Sequence, residues 1–469
     1  MAEPVLAPSG LRLVVDGNLY RSDQGRLMLG GAPLRLVRLS DAGAAAVDGW
    51  IGGAPVGGDE AERRLARRLL SGGLVHPQVE PVAVDDVTVV TPVLDDAAGA
   101  RRLVDCLPGI PIIVVDDGSV VPLRVDGPDV TLIRHDTPQG PAAARMTGLE
   151  QVTTSNVIFV DADIELTVDD IASLLGHFAD PEVVAVAPRV ASAPGRGLLA
   201  AYEENFSPLD LGRVPSPVGP GRVVAFLPSA TLLLRTAVVR AQGGFDSTLR
   251  YGEDVDLIWR LAAEGRVIRY DPSVVVMHRP RSDWQAWFRQ RVAYGSSSAP
   301  LAARHGDAAT PARPPAPVVL GLVAAAVVPR RALPAVACAT VALVHRRIGA
   351  AFGGEAPPGI TGRAVEHAAG STITALVRAW WPFTLFAGAA SRRVRRRVGV
   401  ALIGVSASEY ARSGRHVDPV RGVGLRLVDH LAYGVGVWQG AMRHRSMKAL
   451  VPVVGTRGHP SNTATVADP

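Results

Sequence analysis

The chain has 469 residues and a formal net charge of +5, long enough for two or three domains with sizeable cores. Its two cysteines, Cys106 and Cys338, stand far apart in apolar contexts, which excludes a disulfide framework and a cysteine zinc site and fits a cytosolic redox setting. The charge is uneven: from residue 316 onward 19 Lys+Arg face 6 Asp+Glu, a local +13 that leaves −8 for the rest. These basic residues are almost all Arg, with Lys448 the only lysine, and they sit among apolar segments without a nucleic-acid motif. That pattern favours an anionic membrane surface over nucleic acid as partner.

The start, MAEPVLAPSG, has neither a basic nor an apolar signal region, so no secretory signal is expected there. Residues 1–80 read as a first unit. Apolar stretches Leu11–Val15, Leu27–Leu29 and Leu34–Leu39, split by Asp-Gly and Gly-Gly turns, predict a small sheet, and helical segments follow at Asp41–Trp50 and Glu60–Leu70.

Residues 85–295 read as the second unit, with apolar strands alternating with helical segments as in parallel α/β domains. Strands are expected at Val87–Thr91, Ile112–Val115, Val130–Ile133, Val157–Val160 and Val183–Ala187. Acidic residues cluster where such strands end, the place where open sheets bind ligands. The clusters are Asp116-Asp117 in VVDDGS, Asp161-Ala162-Asp163 after an apolar run, and Gly252-Glu253-Asp254 before the apolar helix VDLIWRL. One D-x-D is weak evidence, but three ordered clusters suit a chemistry that holds a nucleotide, neutralises a departing phosphate and deprotonates an acceptor hydroxyl. Asp256 and Arg260 are spaced to pair as helix structure.

Residues 296–315 read as a proline-rich linker, and 316–469 as a basic, apolar helical tail. Its opening runs, PVVLGLVAAAVV and ALPAVACATVALV, fall short of the roughly 20 residues of a straight span. Ser371–Ala390 is long enough but contains Arg378, and the basic cluster Arg392–Arg397 follows it. Attachment to the cytoplasmic side of the membrane is expected, spanning or interfacial.

The wording of VTVVTPVLDD, VVDDGS, QGPAAARMTGL, VDADI and GGFDSTLRYGEDVDLIWRL resembles the inverting family 2 glycosyltransferases of the GT-A fold, from Val87 to about Tyr294. The first unit is similar to PqqD-like winged-helix modules that recognise peptides. The combination with a basic apolar tail resembles the mycofactocin-system glycosyltransferases of actinobacteria. The resemblance implies inverting transfer of glucose from UDP-glucose, in β-1,4 linkage, to a redox cofactor derived from a ribosomal peptide. It implies that Thr91-Pro92 lie beside the nucleotide base, that Asp117 accepts from the uracil, and that Arg145, with Gly140 and Gly148 nearby, approaches phosphate. Asp163 would ligate Mg²⁺ or Mn²⁺, Asp161 would contact the ribose or the metal, and His278 would approach the metal or diphosphate. Asp254 would be the base on the acceptor hydroxyl, and Glu253 would position the acceptor.

Processive relatives carry Q-x-x-R-W, whereas Gln290 and Arg291 are adjacent here with no tryptophan after them, which favours a short product. Two other readings stay open: a membrane glycosyltransferase for a lipid or cell-wall acceptor, and a non-catalytic peptide-binding scaffold. A nucleotidyltransferase is disfavoured, because the glycine- and arginine-rich loop it needs at the first strand is replaced by VTPVLDD.

Overall fold

The expected apolar runs do form strands, as their β-branched content demands: Val87–Val93, Ile112–Asp116, Val130–Arg134, Asn156–Val160 and Val183–Ser192. The structure, a computed structural model, describes residues 5–21, 25–31, 34–280, 283–352, 359–413 and 417–453. All five strands lie in one nine-stranded sheet, in the order Ile164–Glu165, Val267–His278, Val183–Ser192, Thr231–Arg235, Asn156–Val160, Val87–Val93, Ile112–Asp116, Val130–Arg134, with Ser216–Pro217 beside Val267–His278.

A wholly parallel sheet is not what forms. Thr231–Arg235 runs antiparallel to both its neighbours. The connection that leads to it from Val183–Ser192 passes through helix Leu198–Phe206 and a long irregular segment. The helices Ala97–Cys106 and Val168–Leu175 bury Leu103, Ile171 and Leu174 against the sheet, each contributing about 1.5–3 kcal/mol of apolar burial. Helix Pro141–Gln151 packs closer still: a Cβ on Gly148 would lie 2.3 Å from Val90 Cγ1. Helix-on-strand packing therefore requires glycine at 148.

The first unit has its own core of Leu13, Met28, Val37, Val47, Trp50 and Leu69. Arg12–Val15 pairs with Val75–Gln78, and Tyr20–Arg21, Leu27–Gly30 and Arg35–Arg38 form a second small sheet. Its helices span Asp41–Ile51 and Glu60–Gly72, opened by Ser40 and Asp59, whose side chains accept from Gly43 N and Glu62 N. Such caps satisfy helix donors that have no partner within the helix.

Gly195–Asn205 and the residues beyond 282 form a separate body, described on its own. The expected linker is largely helical, with Ser298–His305 followed by a 3₁₀ turn at Gly306–Ala309. Ala299, Leu301 and Ala302 are buried, so an apolar contact stripe outweighs the polar composition there, and Pro300 sits in the first turn where it is tolerated. The candidate span Ser371–Ala390 is also corrected. It breaks at Ala379-Trp380 into Ile360–Arg378 and Trp381–Ala390, where Pro382, in the first turn of the second helix, cannot continue the first; Arg378 donates to His430 Nδ1 at 2.9 Å and stacks on Tyr433. No helix among the described residues is long and apolar enough to cross a membrane. Arg291 is 2% exposed and holds Glu203 and Asp429 together, so it is structural in this body. Both cysteines are free and exposed.

Candidate active site

The five residues of Asn156–Val160 are the apolar run that delivers Asp161 to the end of the sheet. Thr231 lies opposite Val160, and the segment just before it joins two acidic clusters. Asp161 N donates to Ala230 O at 2.9 Å, while Ser229 N donates to Asp254 Oδ2 at 3.2 Å. The antiparallel strand thus carries the D-x-D turn and the start of helix Glu253–Ala263 to one place.

Arg145 completes the arrangement. Its Nη1 donates to Glu253 Oε1 at 3.0 Å and its Nη2 to Asp161 Oδ1 at 2.6 Å, with the guanidinium 5.5 Å from the Phe245 ring centre. At 3% exposure it ties the two carboxylates together. The guanidinium fork suits this double engagement. Burial would weaken its charge, but Asp161, Glu253 and Asp254 hold its pKa above the ordinary value.

On the far side of the turn, Ile164 lies opposite His278 in the sheet. This register sets His278 Nε2 3.1 Å from Asp163 Oδ2, and leaves His278 Nδ1 buried without a hydrogen-bond partner. Among the described residues no group of three metal-ligating side chains converges to hold an ion unaided.

Glu253 and Asp254 open their helix after Gly252. Burial, then the neighbouring Asp254 charge, pushes the Glu253 carboxyl up to about 7, against the pull of Arg145. Burial raises Asp254 too, although Val255 N and Ser229 N both donate to it. Asp161 is raised by burial, with Arg145 opposing and Asp163 adding to the rise. The pair Glu253/Asp254 titrates as one system. Activity needing an ionised base here should fall as pH drops through neutrality, and Glu253→Gln, which removes one of the two coupled charges, should move that acidic limb lower. A kcat/KM profile with its limb below pH 5 in the parent would refute the coupling. Because the folded pKa of Glu253 is raised, its contribution to stability is present below its unfolded value and is lost as pH rises through about 7.

The upstream cluster is built differently. Asp116, fully buried, accepts from Ser119 N at 2.9 Å, Leu123 N at 3.1 Å and the Arg134 guanidinium. Burial works against its charge, but these donors hold its pKa below the usual range. Asp117, 4% exposed, accepts from His135 Nδ1 at 2.7 Å, Gln139 N at 2.9 Å and Gly140 N at 2.8 Å. It anchors the loop before helix Pro141–Gln151, a role not read from its sequence position. Gly140, at φ 100°, caps that helix. Thr91 is buried and Pro92 half-buried, both in the interior strand Val87–Val93. Asp256 pairs with Arg260 at 2.8 Å as its spacing indicated. His135, Ser229, Ala230 and Phe245 were not singled out in sequence; His135 carried a signal, since it ends the strand beside VVDDGS.

A mixed nucleotide-binding sheet of GT-A type, with carboxylates gathered at its strand ends, defines a glycosyltransferase. Residues 88–236 match the model of glycosyl transferase family 2; this span contains Asp117, Arg145, Asp161 and Asp163 and stops before Glu253. The pre-mycofactocin glycosyltransferases of two Mycobacterium tuberculosis strains, CDC 1551 / Oshkosh and ATCC 25618 / H37Rv, are each 36% identical over 479 residues, covering 96% of this chain and 99% of theirs. The chain belongs to family 2 of the glycosyltransferases and, within it, to the group of the pre-mycofactocin glycosyltransferases. A mannosyltransferase from Pyrobaculum calidifontis, solved with GDP-Man and Mn²⁺, is a looser likeness at 20% identity and a TM-score of 0.36, covering 70% of this chain and 89% of that one.

Proposed function

We propose that the chain transfers glucose, with inversion, from UDP-glucose to a peptide-derived pre-mycofactocin acceptor, building a short β-1,4-linked chain. The observation that carries the chemistry is the juxtaposition of Asp254 with the Asp161–Arg145–Glu253 chain. One half-buried carboxylate beside a fixed ion network is what a single general base needs. The acceptor comes from the relatives' name, matched along nearly the whole chain. Asp254 takes the proton from the acceptor hydroxyl, Glu253 and Arg145 fix its position and charge, and the first unit holds the peptide part of the acceptor.

Asp161, Asp163 and His278 suit a divalent cation. They offer the hard oxygen donors that Mg²⁺ or Mn²⁺ takes and a buried imidazole nitrogen without a hydrogen-bond partner; further oxygens would have to come from the donor. Such an ion would neutralise the charge on the departing diphosphate. The test is product analysis with purified pre-mycofactocin and a panel of UDP-sugars, with and without EDTA. Glucose should be transferred from UDP-glucose, transfer should stop in chelator, and Mn²⁺ or Mg²⁺ should restore it. Preferential use of another sugar, transfer to lipid alone, or full activity in chelator would each reject its part of the reading.

The helical body is proposed to lie on the cytoplasmic face of the membrane. Leu320, Val323, Val327, Phe383, Leu385 and Phe386 are all more than half exposed, and Arg392–Arg397 supplies positive charge. Because no helix among the described residues is long and apolar enough to cross a membrane, contact is proposed to be interfacial and screened by salt over about 8 Å at physiological ionic strength. Full-length protein should float with vesicles rich in phosphatidylglycerol, less so as salt rises, and not with phosphatidylcholine. Failure to float with anionic vesicles at low salt would end this proposal.

A further inference from the structure

Strand Val267–His278 carries His278 at one end and Arg269 near the other, about 30 Å apart for extended chain. At the Arg269 end an open cleft is lined by residues of helix Glu60–Gly72 and of the catalytic sheet. Arg67 and Arg269 line it, and both are tied to Asp180. Arg67 Nη1 and Nη2 donate to its two oxygens at 2.9 and 2.7 Å, and Arg269 Nη2 donates at 2.7 Å. Two guanidiniums thus share one carboxylate.

The two arginines are only 7% and 6% exposed, yet Arg67 Nε and Arg269 Nη1 are buried with no hydrogen-bond partner. More positive charge lies close by: Arg235 donates to Asp180 O at 3.4 Å, and Arg222 to Ser71 O at 2.8 Å. Against these four cations stand Asp180 and Asp271, the latter accepting from His177 Nε2 at 2.8 Å. Arg67 and Arg269 are the buried pair, Arg222 and Arg235 being half-buried, and a buried N–H donor left unpaired is unfavourable until an acceptor reaches it.

We propose that this cleft binds a carboxylate group carried on a small organic molecule or a peptide end, at a site separate from glycosyl transfer. Arg67 Nε and Arg269 Nη1 are the unpartnered donors on the two arginines that line the cleft, and charge-assisted hydrogen bonds to a carboxylate would satisfy them. Asp271 lines the same cleft. Burial opposes its ionisation, but His177 and Ser273 hold its pKa down to about 2, so its standing charge repels a phosphate dianion more than a monoanion. Leu70, Val75, Pro215 and Pro217 on the walls suit an apolar body behind the charged group.

The test titrates acetate, a short acetyl-capped peptide with a free C-terminal carboxylate, the same peptide as its amide, and inorganic phosphate into full-length protein labelled with ¹⁵N-arginine. The Arg67 Nε–H resonance and Tm are followed. A free acid should shift the resonance and raise Tm, the amide should do neither, and phosphate should bind about tenfold more weakly. A response to acetate identifies a small free carboxylate, and one to the peptide alone a chain end. Arg269→Gln should weaken binding about tenfold. Pro215→Trp, which fills the cleft and leaves each ion pair in place, should abolish binding without lowering the Tm of the free protein, so loss of binding is separable from loss of fold. An Arg67 resonance unmoved by any carboxylate, or an equal response to the amide, overturns the site; phosphate binding as tight as carboxylate overturns its assignment.

Discussion

Asp254→Asn is expected to lower kcat by about 10²–10⁴-fold, the usual worth of a positioned general base, while the dissociation constant for UDP-glucose stays within about threefold of the parent. Asparagine keeps the shape and one of the two acceptor oxygens: turned toward Val255 N, which bonds to Asp254 Oδ1 at 2.8 Å, it gives up only the longer bond from Ser229 N to Oδ2 at 3.2 Å. Helix Glu253–Ala263 therefore keeps its first turn, and the loss falls on proton removal. Single-turnover rates with pre-mycofactocin, beside calorimetric donor binding, separate the two quantities. Turnover within tenfold of the parent removes Asp254 from the chemistry, and a parallel collapse of donor affinity reassigns it to binding.

Arg145→Met should cost stability as well as activity, about 3–5 kcal/mol, because removing one member of a buried ion network leaves the remaining charges uncompensated. Asp161 and Glu253 lose the cation that bridges them at 2.6 and 3.0 Å, and the nearby Asp254 loses its attraction. Each carboxylate then holds its proton to higher pH, so the acidic limb of any surviving activity should move up, opposite to the shift expected for Glu253→Gln. Arg145→Lys keeps the charge but cannot reach both carboxylates with a planar fork, and should fall between parent and Met variant. Denaturant unfolding and a kcat/KM profile report the two effects. A Met variant within about 0.5 kcal/mol of the parent, the size of an ordinary surface change, would show that the bridge carries no stability.

Much of the catalytic unit was legible in sequence for a local reason. Buried strands must be apolar and must stop where the chain meets solvent, so Ile112–Asp116 and Asn156–Val160 announce both themselves and the acidic residues at their ends. The Asp256–Arg260 pair was legible because helical spacing alone brings such residues together. Asp117 was legible as a site position but not in its partners, since His135 and Gly140 reach it from 18 and 23 residues away.

What the sequence by itself determined was five strands of the catalytic sheet, the order of the acidic clusters and the family to which their wording belongs, since these rest on composition and spacing within a few residues. What the tertiary structure decided was which clusters meet. Thr231–Arg235 enters the sheet antiparallel and ties Asp161 to Asp254 through Ala230 and Ser229. Arg145 spans 16 residues to Asp161 and 108 to Glu253, and Ile164 lies opposite His278 across the sheet. Strand sense and register at such separations are set by the packing of the whole sheet, to which no single segment holds the key.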